Sequence, residues 1–219
     1  MKEIIIMGTA PSAQYCPYDC EVYGVNGAYH AETDMPGAKE KFRLDKLFLT
    51  DTLFNSVGKM LFNIEEINAL TQKHGTEIIS VHPMKLGKHV LKASKYPYIH
   101  IVKKFRTTYF TSTIGYMIAY ALDQNTVMVK NKLGLLVPKL TEPLKLKLYG
   151  IDMITKLEYQ QQKGGVEFWM GYAMALGCEH EISQGSTIMV PPMGTPYGQE
   201  IKYDLNLIDP LNLTGWKKK

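Results

Sequence analysis

The sequence predicts an α/β domain with a mainly parallel sheet. Short apolar runs alternate with stretches of helical periodicity. The first run, Ile4-Ile5-Ile6-Met7, is continuous rather than alternating, which suits a strand buried on both faces. Several runs end at Gly, Asn or Asp, residues that turn a chain out of a sheet. At 219 residues the chain holds one sizeable domain. A 45% hydrophobic and 21% charged composition excludes wholesale disorder.

Glu3 to Met7 forms the first expected strand, ending at Gly8. Glu21 to Val25 is the second, followed by Asn26-Gly27, and Lys46 to Thr50 is the third. Asp51 then offers an N-cap for a helix with apolar residues at Leu53, Phe54, Val57, Met60, Leu61, Ile64, Ile67 and Leu70, closed by His74-Gly75. Glu77 to Val81 reads as a fourth strand stopped by Pro83, and Tyr98 to Val102 as a weaker one. A helix is expected from about Thr113 to Leu122. Residues 124–143, turning around Asn131 to Gly134, read as an inserted β-hairpin. Leu144 to Tyr149 alternates in the manner of a strand near an edge, and a last helix runs from about Gly165 to Leu176. This gives a domain over residues 1–186, with a Pro/Gly-rich tail at 187–219 that wraps it.

No apolar run approaches the roughly 20 residues that span a bilayer, and the first residues lack the pattern of a signal peptide. A cytoplasmic protein without a transmembrane segment is the expectation. Three cysteines make a poor disulfide framework. Cys16 and Cys20, with His30, are an incomplete zinc set, so reduced thiols and no metal site are expected. The formal charge of +4 includes Lys217-Lys218-Lys219. The internal cluster Lys103-Lys104-Phe105-Arg106 suits a solvated face or, less simply, a phosphate-bearing ligand.

In an open α/β sheet, ligands bind beyond the carboxyl ends of the strands. The residues that fall there are Gly8-Thr9-Ala10-Pro11-Ser12, Asn26-Gly27, Asp51, His82 and Gly150-Ile151-Asp152. Gly8 permits a sharp turn, Pro11 fixes it, and Ser12 offers a hydroxyl beside backbone amides, as a phosphate would require. An ordinary tight turn explains the same residues. Asn26 reads a base or ribose, or simply turns the chain before Gly27. Asp152 holds a ribose, a metal or an amine, or caps the next segment. One of Thr111, Ser112 and Thr113 caps the following helix, whose free amides suit an anion. The polar and aromatic stretch from Glu158 reads as a loop over the site. Tyr159 and Lys163 are candidates to neutralise a leaving phosphate, and Glu158 or Glu167 to act as general base. A surface loop is the plainer alternative.

Gly8-x-x-Pro11-Ser12, Asn26, Thr111-Ser112-Thr113-Ile114-Gly115-Tyr116-Met117 and Tyr149-Gly150-Ile151-Asp152 occur in this order. The set resembles the small Rossmann-like bacterial sialyltransferases that use a CMP-activated sugar, and the related archaeal 6-hydroxymethyl-dihydropterin diphosphokinase group. Glu158-Tyr159, Gln162-Lys163, Val166-Glu167-Phe168-Trp169 and Gly171 bring it nearest to phage members of the lipopolysaccharide-biosynthesis-like kind. The resemblance implies that Gly8, Pro11, Ser12, Asn26, Ser112, Thr113, Gly150 and Asp152 hold a nucleotide. It departs at Thr9-Ala10, where the family favours Asn-Gly, and in having no histidine between Asp152 and His180.

The leading expectation is therefore a glycosyltransferase with a nucleotide-sugar donor and no required cofactor. Its acceptor would be a glycan, a metabolite or modified nucleic acid, and a homo-oligomer is possible. The first alternative is an ATP-dependent diphosphotransferase acting on a pterin-like hydroxymethyl group, with Mg2+ held by Asp51 and Asp152. The second is a nucleotide-binding module without catalysis.

Overall fold

In a computed structural model, which describes residues 1–34, 40–52, 57, 60–86, 89–153 and 157–189, the middle of the molecule is β1 (Lys2–Met7). It pairs in parallel with β2 (Glu21–Val25) on one side and β10 (Leu144–Tyr149) on the other. The sheet continues past β2 through β3 (Lys46–Leu49), β4 (Glu77–Ser80) and β7 (Ser94–Lys95). Beyond β10 lies β11 (Glu179–Ile182), so all seven strands are parallel in the order β11-β10-β1-β2-β3-β4-β7. The chain divides into two units, Met1–Ile188 and Met189–Lys219, and the expected wrapping tail lies outside the described residues except at its first positions.

Each face of the sheet has its own core, which is why β1 reads as an unbroken apolar run. Ile4 and Ile6 join Tyr23, Phe48, Leu146 and Leu148 under α3 (Tyr98–Phe105), α4 (Thr113–Gln124) and α5 (Leu157–Ala175). Ile5 and Met7 face the other way, with Val22, Leu47, Leu49 and Ile78, towards α1 (Ala31–Asp34) and α2 (Ile64–His74). Two small antiparallel pairs complete the fold. These are β5 (Lys85–Leu86) with β6 (His89–Val90), and the expected hairpin of β8 (Thr126–Lys130) with β9 (Leu136–Leu140).

Three elements differ from expectation. Residues 98–102 begin a helix, not a strand: Pro97 precedes α3, and Ile101 and Phe105, four apart, are buried against the sheet. A five-residue apolar run carries no period long enough to separate the two states. Helix α2 starts at Ile64, not beside Asp51, because the Asn63 side chain accepts from the amides of Glu65 and Glu66. It closes at Gly75 in the left-handed conformation (φ 69°), and residues 53–56 and 58–59 lie outside the described set. Helix α5 begins at Leu157, about eight residues before the expected start, and absorbs the stretch expected to be a loop. Its Glu, Gln, Leu and Lys residues are good helix formers, and its burial is carried by Val166, Trp169, Met170 and Ala173 further along.

The basic cluster is split by helix α3. Phe105 is core, Lys103 and Arg106 are exposed, and Lys104 is pulled inward. Its ammonium donates 2.8 Å bonds to Asp123 Oδ1, to the Asp123 carbonyl and to the Thr126 carbonyl, which uses all three protons. It thereby ties α3 to the carbonyl end of α4, where a cation is favoured. Both side chains of the pair are over nine-tenths buried. Lys104→Met is expected to lower unfolding free energy by about 3 kcal/mol, because the Asp123 carboxylate stays buried without its main partner. Lys104→Met with Asp123→Leu should recover much of that loss in urea denaturation.

Candidate functional site

The strand order reverses between β1 and β10, and the loops leaving these two neighbours cross at very close range. A Cβ on Gly8 would lie 2.1 Å from the Gly150 carbonyl oxygen, and one on Gly150 would lie 2.6 Å from the Gly8 oxygen. Gly150 also has φ +66°, a left-handed conformation that favours glycine. The Gly8 amide donates to the Tyr149 carbonyl and the Ala10 amide to the Gly150 carbonyl, zipping the two loops together.

Beneath this crossing, Ser12 and Asp152 form a buried clamp. The Ser12 amide donates to Asp152 Oδ2 at 3.2 Å and its hydroxyl donates to Asp152 Oδ1. The same hydroxyl accepts from the Gly150 amide and from Ser183 Oγ, both at 2.9 Å. One donation and two acceptances fill the capacity of a serine hydroxyl. Ser12, expected to meet a phosphate, therefore holds the cavity floor instead, whereas Pro11 starts the short turn above it and reaches the cavity wall.

A cavity of about 900 Å³ opens above the crossing. Gly8 to Pro11, Val25 to Gly27, Thr50 and Asp51, Phe110 to Ile114, Tyr116, Gly150 to Met153 and Gln162 line it. Asn26, Ser112, Thr113 and Asp152, far apart in sequence, are thus neighbours across one opening. Asn26 sits at φ 36° and donates through Nδ2 to Asp51 Oδ2 at 3.1 Å. Its Oδ1 is buried with no hydrogen-bond partner. Ser112 is the N-cap residue of α4, but its hydroxyl makes no cap bond and is likewise buried without a partner. The first amides of α4 have no intrahelical acceptor and carry the positive end of the helix dipole. Thr113 Oγ1 shares a 2.5 Å bond with Thr50 Oγ1, which fixes that helix end to the end of β3.

One wall is aromatic. Phe110 and Tyr116 stack with centroids 4.4 Å apart, and Phe110 leans on Trp169, whose indole N–H donates to the Tyr109 carbonyl. Thr111 donates to the Gln162 carbonyl, and a Cβ on Gly165 would lie 2.0 Å from its oxygen, so α5 packs directly behind the α4 start. Phe110, Thr50 and Met153 are lining residues that the sequence does not flag, and Tyr116 enters there only as part of the helix-start motif. Thr50 adjoins Asp51 and Phe110 adjoins Thr111, so adjacency to a strand end or helix cap is the only signal.

The expected catalytic group on α5 is not gathered in this way. Lys163 Nζ pairs with Glu167 Oε1 at 3.5 Å one turn on, and neither is among the described lining residues. The backbones of Glu158 and Tyr159 are helical rather than looped, and their side chains lie outside the described set. His82 is not among the described lining residues either. Asp51 and Asp152 are the two carboxylates of the described lining; Asp152 is tied to Ser12 through both oxygens, while Asp51 is exposed and bonded through one.

The only metal-like grouping among the described residues is Glu3, Asp19 and Cys20, on the opposite side of β10 from α5. The Lys147 ammonium already occupies it, 2.5 Å from Glu3 and 3.4 Å from Asp19. Its pKa is raised by the bond to Glu3. All three cysteines are free thiols. No helix among the described residues is long and apolar enough to cross a membrane. Comparison with models of known families, with curated proteins and with solved structures gives no match.

Burial pushes the Cys16 thiol up to about 12, and Cys20 and Cys178 to about 11, from a usual value of 9.0. The native protein should therefore react with a thiol reagent at pH 8 far more slowly than the urea-unfolded chain. These protonated thiols stabilise the fold fully below pH 9, and that contribution fades as pH climbs towards 11–12. Denaturant midpoints from pH 8 to 11 check this. Gly8→Ala should cost about 3 kcal/mol or more, since backbone rather than a side chain blocks the new methyl group.

Proposed function

We propose that the protein is a nucleotide-binding transferase, and specifically a glycosyltransferase that takes its sugar from a nucleotide-activated donor. The observation that carries this reading is the pair of buried, unpartnered polar atoms, Asn26 Oδ1 and Ser112 Oγ, at the rim of one cavity. A buried polar atom without a partner costs about 1–3 kcal/mol, so two at one opening mark a place where a ligand supplies the missing bonds. Asn26 Oδ1 accepts from a base or sugar donor, and the α4 amides donate to a phosphate. The Phe110–Tyr116 wall takes the flat face of a base or the apolar face of a sugar. The location agrees, because the topological switch point is where open α/β sheets bind nucleotides.

In the transfer, the acceptor hydroxyl attacks the anomeric carbon of the donor, the bond from that carbon to the phosphate oxygen breaks, and the nucleotide leaves. Asp51, exposed at the cavity, takes the acceptor proton, and the α4 N-terminus stabilises the charge on the leaving phosphate. The resemblance to CMP-sugar-dependent sialyltransferases supports the same donor class. The diphosphotransferase reading rests on Asp51 and Asp152 facing one cavity, where together they would hold Mg2+ against a triphosphate.

Purified protein should show a saturable thermal shift with one of the CMP, UDP or GDP nucleotides and hydrolyse or transfer the matching sugar without added Mg2+. AMP release from ATP, strictly dependent on Mg2+, would select the diphosphotransferase instead. Binding without turnover of any donor would leave a nucleotide-sequestering module. Ser112→Ala removes an unsatisfied hydroxyl, so it should leave the melting temperature of the free protein unchanged or higher while weakening nucleotide binding about tenfold.

A further inference from the structure

The inserted hairpin presents a feature that the cavity does not use. Its two strands are joined by a turn held at three points: Asn131 Oδ1 accepts from the amides of Leu133 and Leu135, and the Asn131 amide donates to the Leu135 carbonyl. Gly134, at φ +75°, completes the turn. This built turn displays apolar residues to solvent. Leu133 is 81% exposed, and Leu135, Leu136 and Val127 are each about half exposed. Four large apolar side chains on one small projecting element are more than scattered surface hydrophobics.

The charge around them has one sign. Residues 126–140 contain Lys130, Lys132 and Lys139 and no acidic residue. All three lysines are exposed, and none has a carboxylate partner among the described residues. Beside the turn, exposed Arg106 donates to the Leu136 carbonyl and adds a fourth cation. The apolar residues gather at the turn: Leu133 and Leu135 lie in it and Leu136 follows it opposite Lys130, while Val127, opposite Lys139, lies towards the other end of the ribbon. A narrow apolar turn of three leucines suits insertion into a fluid medium, whereas docking on a rigid protein needs a broader flat apolar face. Lysines within and along a ribbon whose turn is apolar are an arrangement that meets lipid tails and anionic headgroups together.

We propose that the β8–β9 hairpin is a membrane-surface anchor that inserts Leu133, Leu135 and Leu136 among the lipids of an anionic bilayer, with Lys130, Lys132 and Lys139 at the headgroups. This does not depend on the glycosyltransferase reading. Each lysine near an anionic surface contributes about fivefold to partitioning, screened by salt, and the leucines supply a salt-resistant part.

The test is co-sedimentation of the full chain with vesicles of phosphatidylcholine alone and of phosphatidylcholine with phosphatidylglycerol, at low and high salt. The wild type should sediment with the anionic vesicles and much less with the neutral ones. Leu133→Asp with Leu135→Asp should weaken binding about tenfold or more at unchanged melting temperature. Lys130→Glu, Lys132→Glu and Lys139→Glu together should abolish the preference for anionic lipid. Three results would overturn the proposal. These are exclusion of the wild type from both vesicle types; binding of the leucine variant equal to that of the wild type, as attachment through Lys217 to Lys219 alone would produce; and a wild-type dimer in sedimentation velocity that the leucine variant disperses.

Discussion

The architecture turns on the contact between Gly8 and Gly150. Two parallel strands that sit side by side leave the sheet through loops that cross within backbone van der Waals distance, and only residues without Cβ allow it. The crossing sets where Pro11 and Met153 go, opens the cavity above, and places Ser12 against Asp152 below. The clamp then makes the floor rigid: a buried serine with its hydrogen-bond capacity filled and a carboxylate with both oxygens engaged leave that floor little freedom. Rigidity at the floor matters for any ligand held above, since geometry fixed in advance is not paid for at binding.

Against that rigid floor, the opposite rim is left incomplete. Ser112 caps α4 by position but not by hydrogen bond, and Asn26 satisfies its amide nitrogen on Asp51 while its oxygen has no partner. Several buried polar groups elsewhere are well provided for: Lys104 has three acceptors, Thr76 reaches the Leu44 carbonyl, and Asn125 reaches the Ala121 carbonyl. Of the three buried polar atoms without a partner among the described residues, two meet at this one cavity, where a ligand enters; the third, the Tyr18 hydroxyl, lies in the core of the other sheet face.

Much of this was legible in the sequence, for physical reasons that differ from element to element. β1 was readable because burial on two faces removes alternation, and the hairpin because Asn131 and Gly134 punctuate two apolar runs. The strand-end residues were readable because a parallel sheet sends every strand's end to one edge. Helix α3 was not, since its inward face shows only Ile101 and Phe105, too few to declare a period. The early start of α5 was hidden because the polar stretch from Glu158 to Lys163 shows no apolar stripe in the sequence. The division of labour between Ser12 and Ser112 was invisible, because which serine faces a cavity and which lies beneath it depends on a loop crossing that no local pattern encodes.

The most direct test of a phosphate ligand in this cavity is backbone amide NMR of the protein during titration with CMP, UDP, GDP and ADP. One nucleotide should shift the amides of Thr9, Ala10, Asn26, Gly27, Thr113 and Ile114 together along a single saturation curve, with Ser12 nearly still. Saturable shifts confined to another surface, or no saturable shift with any of the four, would contradict the account.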